Sequence, residues 1–141
     1  TNLEEDKIIS NYCQKNEINY FEGSSKDVLD RYYQCAKKSS ITTIVRITSD
    51  CPLVDPNIVD KLVTKFTNNL FDVVATHNPR SFPNGIADIE IFSFKSLEKI
   101  WKKAKKPSER EHVTLYFYNN PNNFKIFNFK NNENLSKIKL Y

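Results

Sequence analysis

"ITTIVRITSDCPLVDP", residues 41–56, is an apolar run that stops in an acid, a cysteine and two prolines. Ile41 to Ile47 is rich in β-branched side chains and bounded by Ser39-Ser40 and Ser49-Asp50, which predicts a buried strand. Pro52 and Pro56 cannot continue a ladder, whereas Asp55 as N-cap and Pro56 at the first helical position predict a helix running to about Phe66. Asp50 then stands at the carboxyl end of a strand, the edge of an open α/β sheet at which ligands bind. An aspartate ahead of a turn is also ordinary loop punctuation, so the segment alone leaves both roles open.

Working outward, the elements alternate. Asn2 is placed to cap a helix from Leu3 to Lys15 with Ile8, Ile9 and Tyr12 on one face. Ile18 to Phe21 reads as a short strand, Gly23-Ser24-Ser25 as a turn, and Asp27 to Lys38 as a helix with Val28, Leu29, Tyr32 and Tyr33 in its apolar stripe. With a strand at 72–76 after the 56–66 helix, the first half reads as successive βα units and a parallel sheet. The second half opens on an excursion through Asn78-Pro79 and Phe82-Pro83-Asn84-Gly85. Ile86, Ile89 and Ile91 then alternate with Asp88 and Glu90 as in a half-solvated strand. A helix opened by Ser93 or Ser96 runs through Trp101 to Lys105; "SEREHVTLYFYNN", residues 108–120, predicts another, with Ser108 as cap and Glu111 in the capping-box position. Phe124 to Phe129 closes as a strand. The fold class expected is an α/β sandwich with a mostly parallel sheet and an antiparallel insertion around residues 78–92.

Composition narrows the function. A chain of 141 residues, 39% hydrophobic and 27% charged, is sized for one globular domain with an ordinary core. Its net charge of +4 is dispersed among acids, except for Lys102, Lys103, Lys105 and Lys106, which read as a solvated helix end favoured by the dipole. No RNP, zinc or helix-turn-helix signature accompanies them, so nucleic acid is not an expected partner. Neither of the two glycines stands in a Gly-rich loop, which excludes a phosphate cradle of that kind within these residues. Cys13, Cys35 and Cys51 are odd in number and lack metal-ligand spacing, as reduced thiols of a cytoplasmic protein would be. Cys51 beside Asp50 is a candidate nucleophile, though no base follows it nearby in sequence. No apolar stretch approaches the ~20 residues that span a bilayer, and no signal peptide opens the chain, so no membrane partner is expected. The absence of methionine, even at position 1, reads as a fragment or a processed product.

Four stretches carry a resemblance: "GSSKDVLDRYYQCAKK", "VRITSDCPLVDPNIVDKLV", "FPNGIADIEIFSFKSLEKIWKKAKKPSEREHVT" and "ENLSKIKL". Together, in order and over nearly the whole chain, they resemble the cytidylyltransferases of the spore coat polysaccharide biosynthesis type, relatives of acylneuraminate cytidylyltransferase and CMP-Kdo synthetase. The resemblance implies a Rossmann-like nucleotidyltransferase fold and a transfer in which a sugar hydroxyl attacks the α-phosphate of CTP, pyrophosphate leaves and a CMP-sugar forms. Catalysis of that kind is mainly positioning and charge stabilisation by Mg²⁺ and cationic groups. A hard cation takes carboxylate oxygen, and Asp50 matches the acid that supplies it in the family.

Other roles follow from the same match. Ser24 and Ser25 correspond to a turn that approaches the cytidine, or are simply cap residues of the following helix. Arg46 lies near substrate-binding polar groups; an arginine in a buried strand needs either a ligand anion or a structural carboxylate as its partner. Asp88 borders the sugar pocket in the family, although it shares with Glu90 a face that is ordinarily solvated. His112 of "SEREHV" contacts sugar or packs its helix, and His77 with Arg80 closes over the sugar or stays in solvent.

The family pattern also begins earlier, with a strand and a phosphate-wrapping loop Ala-Arg-x-x-Ser-x-Arg-Leu-Pro-x-Lys. It continues later, into an Asp-rich stretch that supplies a second metal ligand. Residues 1–141 are therefore expected to be a partial cytidylyltransferase domain, truncated at both ends and exposing an apolar flank where the first strands would pack. A homodimer through the second-half excursion is implied. Phe82, Phe92, Phe94, Trp101, Tyr116, Phe117 and Tyr118 form an aromatic load larger than one small core is expected to absorb. The competing function is a non-catalytic binding or dimerisation fragment of such a domain.

Overall fold

The computed structural model describes residues 1–140. A 3-10 turn at Glu4–Asp6 leads into α1 (Lys7–Lys15), and then α2 (Val28–Lys38), β1 (Thr43–Ile47), α3 (Pro56–Thr67) and β2 (Val73–Ala75) follow. β3 (Ile89–Ser93) runs directly into α4 (Phe94–Lys103); α5 (Pro107–Glu111), α6 (Leu115–Asn119), a 3-10 turn at Pro121–Asn123 and β4 (Ile126–Asn128) complete the order. Three helix starts are dictated locally. Asp27 accepts from the Asp30 N–H, Asp55 from the Asn57 N–H with Pro56 just inside, and Ser93 from the Ser96 N–H. In each a side-chain oxygen satisfies one of the amides that a helix N-terminus leaves orphaned.

The four strands of the described residues lie in the order β1-β3-β2-β4. β2 and β4 pair in parallel, while β3 runs antiparallel to both β1 and β2. β1, β2 and β4 therefore point one way and β3 is the antiparallel insertion, as the sequence predicts. Both faces of the sheet are covered. On one, Val73, Ala75 and Phe92 pack against Leu29, Tyr33 and Ala36 of α2, Leu97 and Ile100 of α4, and Phe117 of α6. On the other, Val74, Ile89 and Ile91 meet Leu62 and Phe66 of α3. Alternate residues of one strand feed alternate cores, because successive side chains leave a strand on opposite faces.

Several expectations are corrected. Asn2 caps no helix, and no side-chain cap is present at either Leu3 or Asp6. Residues 18–21 make no ladder, for among the described residues no strand lies beside them. β1 is an edge strand, not a buried one, and Val45 and Ile47 stay 39% and 40% exposed. The reverse holds for β3, which is central and buried on both faces rather than half-solvated. "SEREHVTLYFYNN" breaks into α5 and α6 around His112–Thr114, α5 begins one residue early on Pro107, and Ser108 makes no cap bond. The aromatic load is absorbed after all. Phe82, Phe92 and Phe117 are buried, and Phe94, Trp101, Tyr116 and Tyr118 pack against the same core, Tyr33 stacking on Trp101 at 4.0 Å. Exposed apolar side chains sit instead in the first half, at Ile8, Ile9, Tyr12, Ile41, Val45 and Ile47.

Candidate active site

β1 ends at Ile47, and the chain turns through Thr48, Ser49 and Asp50 into Cys51. β3 begins at Ile89, so Asp88 arrives at the same edge of the sheet from the opposite direction. There Arg46, Thr48, Asp50, Cys51, His77, Arg80 and Asp88 line an open hollow of about 230 Å³. Of the residues that the sequence nominates, Arg46, Asp50, Cys51, His77, Arg80 and Asp88 are brought together. Ser24, Ser25 and His112 do not line the hollow. The Ser24 hydroxyl accepts from the Asp27 N–H at 2.9 Å and so shapes the entry to α2, while Ser25 is half-buried in the same turn. His112 is exposed at the end of α5.

The acids at this edge differ in how they are held. Asp88 is engaged on both oxygens: Arg80 Nη1 pairs with Oδ1, and the Gly85 N–H donates to Oδ2 at 2.9 Å. Gly85 has φ 89°, a left-handed conformation that suits a residue without Cβ. A further tie secures the turn, for the Asp55 N–H donates to the Ile86 carbonyl at 2.9 Å. Asp50 is exposed and has no ion-pair partner among the described residues. The neighbouring Thr48 hydroxyl holds its carboxyl below the usual carboxylate range, so Asp50 is an anion at neutral pH.

Cys51 lies between these acids, its Sγ 3.7 Å from Asp50 Oδ1 and 3.7 Å from Asp88 Oδ2. Burial pushes the thiol up, and the Asp88 and Asp50 charges act in the same direction. A thiol held protonated is a poor nucleophile, which removes the main chemical argument for Cys51 as an attacking group.

Arg46 finds the structural carboxylate that a strand arginine needs. It stands directly opposite Glu90 in the β1/β3 ladder, and Nη1 donates to Glu90 Oε2 at 2.8 Å. The buried Nε has no acceptor among the described residues. Glu90 is 1% exposed and also accepts from Thr114 Oγ1 at 3.0 Å and Tyr118 OH at 2.8 Å, while His77 Nε2 lies 3.3 Å from Oε1. Burial pushes the Tyr118 phenol far up, with the Glu90 charge adding to it, so the hydroxyl remains a donor. Sequence reading misses Glu90 by assigning it to a solvated face. The available signal was Arg46, whose charge in a strand demanded an acid of matching register.

Chemically, the hollow offers a free carboxylate, a guanidinium and an imidazole on one sheet edge. Among the described residues no group of three or more His, Cys, Asp or Glu side chains is arranged to hold a metal. Asp50 alone can give a hard cation one oxygen. That suits Mg²⁺, which is commonly bound through one or two carboxylates with substrate phosphates completing its shell. A larger groove of about 470 Å³ is lined by Asp60, Lys61, Lys65 and Phe129 but by no histidine, arginine or cysteine.

Known proteins share this chain's pattern. A family model described as cytidylyltransferase matches residues 1–141. An uncharacterised protein of Methanocaldococcus jannaschii is 47% identical over 123 residues, 87% of this chain and 49% of that protein. The spore coat polysaccharide biosynthesis protein SpsF of Bacillus subtilis is 31% identical over 124 residues, 87% of this chain and 50% of that protein. Among solved structures, a cytidylyltransferase from Leptospira borgpetersenii serovar Hardjo-bovis superposes with a TM-score of 0.94 at 37% identity, covering 99% of this chain and 59% of that one. The chain thus spans about half the length of the curated relatives it matches.

Proposed function

The chain belongs to the cytidylyltransferase family, and from that premise we propose that its protein makes a CMP-activated sugar from CTP for surface polysaccharide biosynthesis. In that reaction an acceptor-sugar oxygen bonds to the α-phosphorus of CTP, the bond from that phosphorus to the bridging oxygen breaks, and pyrophosphate departs. The observation that carries the reading is the exposed, ionised Asp50 at the carboxyl end of β1, in one hollow with Arg46 and His77. Asp50 would hold Mg²⁺ jointly with phosphate oxygens, and the ion supplies charge neutralisation on the triphosphate. Arg46, which lines the same hollow, would stabilise phosphate oxygens, where charge accumulates. Asp88, fixed by Arg80 and the Gly85 amide, faces the sugar. On family resemblance His112 serves sugar contact, and Ser24 and Ser25 approach the cytidine. The protein acts as a cytoplasmic homodimer in this proposal. No described helix is long and apolar enough to cross a membrane.

The homodimer rests on family resemblance, since the second-half aromatics pack in or against the core. The test is pyrophosphate release by the full-length protein with CTP, Mg²⁺ and a panel of acidic and neutral sugars. Release that needs CTP and one class of sugar supports the proposal. Failure to bind CTP, measured by calorimetry, favours the non-catalytic fragment reading and overturns it.

A further inference from the structure

Three donors from separate parts of the chain converge on Glu90, Arg46 from β1, Thr114 from the turn before α6 and Tyr118 from α6 itself, and His77 Nε2, from the excursion after β2, stands 3.3 Å from its Oε1. A carboxylate offers lone pairs and no proton, so a group that faces it does so favourably only through an N–H or O–H. That requirement has a directional consequence at His77. At 3.3 Å an N–H on Nε2 is attracted by the Glu90 Oε1 charge whereas a lone pair there is repelled, which in the neutral imidazole leaves Nδ1 as the acceptor. A similar constraint acts on Arg46. One arm is tied to Glu90 Oε2, and the ladder register sets where the guanidinium stands, because Arg46 and Glu90 are cross-strand partners.

We propose that Glu90 is the positioning residue of this site, fixing the Arg46 guanidinium for the substrate anion and holding His77 in the Nε2–H form so that Nδ1 accepts from the acceptor sugar. This rests on the nucleotidyl-transfer reading. Glu90 does not touch substrate; it acts through Arg46 and His77, which line the hollow. Stability alone gives little reason for a charge at this depth, since apolar side chains of similar volume commonly serve a core as well as a buried ion pair does. What an apolar residue cannot do is choose a tautomer.

The experiment is imidazole NMR on the full-length protein, ¹⁵N-labelled at histidine. A His77→Asn variant identifies the His77 signals. Wild-type His77 is expected as the Nε2–H tautomer. In Glu90→Gln the amide presents N–H groups where one oxygen stood, so the His77 Nε2 must accept and the ring switches to Nδ1–H. Steady-state kinetics on the same variant are expected to show kcat lowered about 10- to 100-fold, the usual cost of losing a partner that orients a functional ligand. The larger part of the loss should lie in kcat rather than in KM for CTP.

The proposal is overturned by a wild-type Nδ1–H tautomer, by a switched tautomer with unchanged kcat, or by lost activity with the tautomer intact, which marks a merely structural residue. If Glu90→Gln does not fold, the wild-type tautomer decides. If the wild type transfers no nucleotide, the functional reading fails and takes the positioning role with it. The tautomer measurement distinguishes that case, since it needs no turnover.

Discussion

Replacing Asp50 by Asn separates chemistry from folding at this site, because almost nothing structural rests on its charge. Asp50 is exposed and has no ion-pair partner among the described residues, and its contact with Cys51 Sγ is long at 3.7 Å. Asn preserves the shape and a carbonyl acceptor, so the melting midpoint is expected within about 2 °C of wild type, as for a surface substitution without lost contacts. Turnover is expected to fall at least about 100-fold, the scale of removing one preorganised charge-stabilising group from a reaction centre. The control is Asp55, which caps α3 through the Asn57 N–H at 2.8 Å. Asp55→Asn keeps the cap and should be silent, whereas Asp55→Ala should cost about 1 kcal/mol, or about 4 °C in a chain of this size, with turnover retained. The assay is pyrophosphate release at saturating CTP beside thermal denaturation of all three variants.

The pH dependence follows in sign. With its carboxyl held below 3.8, Asp50 loses its charge only as pH falls through that lowered value, so it contributes no titration to the rate between about pH 5 and 9. Asp50→Asn retaining activity within a few fold, or unfolding the protein while Asp55→Asn abolishes turnover, refutes the assignment.

Trp101→Phe keeps the stack on Tyr33 but removes the indole N–H that meets Asp30 Oδ1 at 2.8 Å; a loss of about 1–2 kcal/mol should appear in urea unfolding. Arg110→Lys should cost a similar amount, roughly 1–2 kcal/mol, because a lysine cannot reproduce the Nε and Nη2 bonds to Asp27 together with the Nη1 bond to the Trp101 carbonyl; an unchanged midpoint refutes this. Burial raises the phenols of Tyr32 and Tyr118, Arg46 pulling the first back and Glu90 reinforcing the second. Raised folded values mean stability that is whole below about pH 10 and lost as pH rises beyond it, so in an absorbance titration these two should ionise only with unfolding. Reversible ionisation of all seven tyrosines near pH 10 with near-UV circular dichroism intact refutes that. Sedimentation of the full-length protein tests the homodimer, which a strict monomer at micromolar concentration excludes.

What the sequence discloses here is what local chemistry controls. The Asp55-Pro56 start of α3, the Asp27 cap of α2 and the Ser93 cap of α4 need only neighbours within a turn. Asp50 at a strand end is legible for the same reason. Pairing between distant segments is not. Residues 18–21 have the alternation of a strand but no partner, and β3 has the alternation of an exposed strand but lies in the middle of the sheet. Glu90 shows the cost most clearly, because its meaning depends on Arg46, 44 positions away, standing opposite it. At "EHVT" the reach into the site is made by Thr114, through Glu90, while His112 stays at the surface. A motif read along the chain does not say which of its residues faces inward.

β3 runs against both neighbours, and this reversal divides the site into two parts with different freedom to change. The Arg46–Glu90 rung is fixed by backbone hydrogen bonding between β1 and β3, and a shift of one residue would turn both side chains to the wrong face. His77, Arg80 and Asp88 instead arrive with the excursion that joins β2 to β3, a connection of the kind that tolerates insertion and substitution. The excursion is therefore free to be rewritten while the Arg46–Glu90 rung stays held by the backbone pairing of β1 with β3.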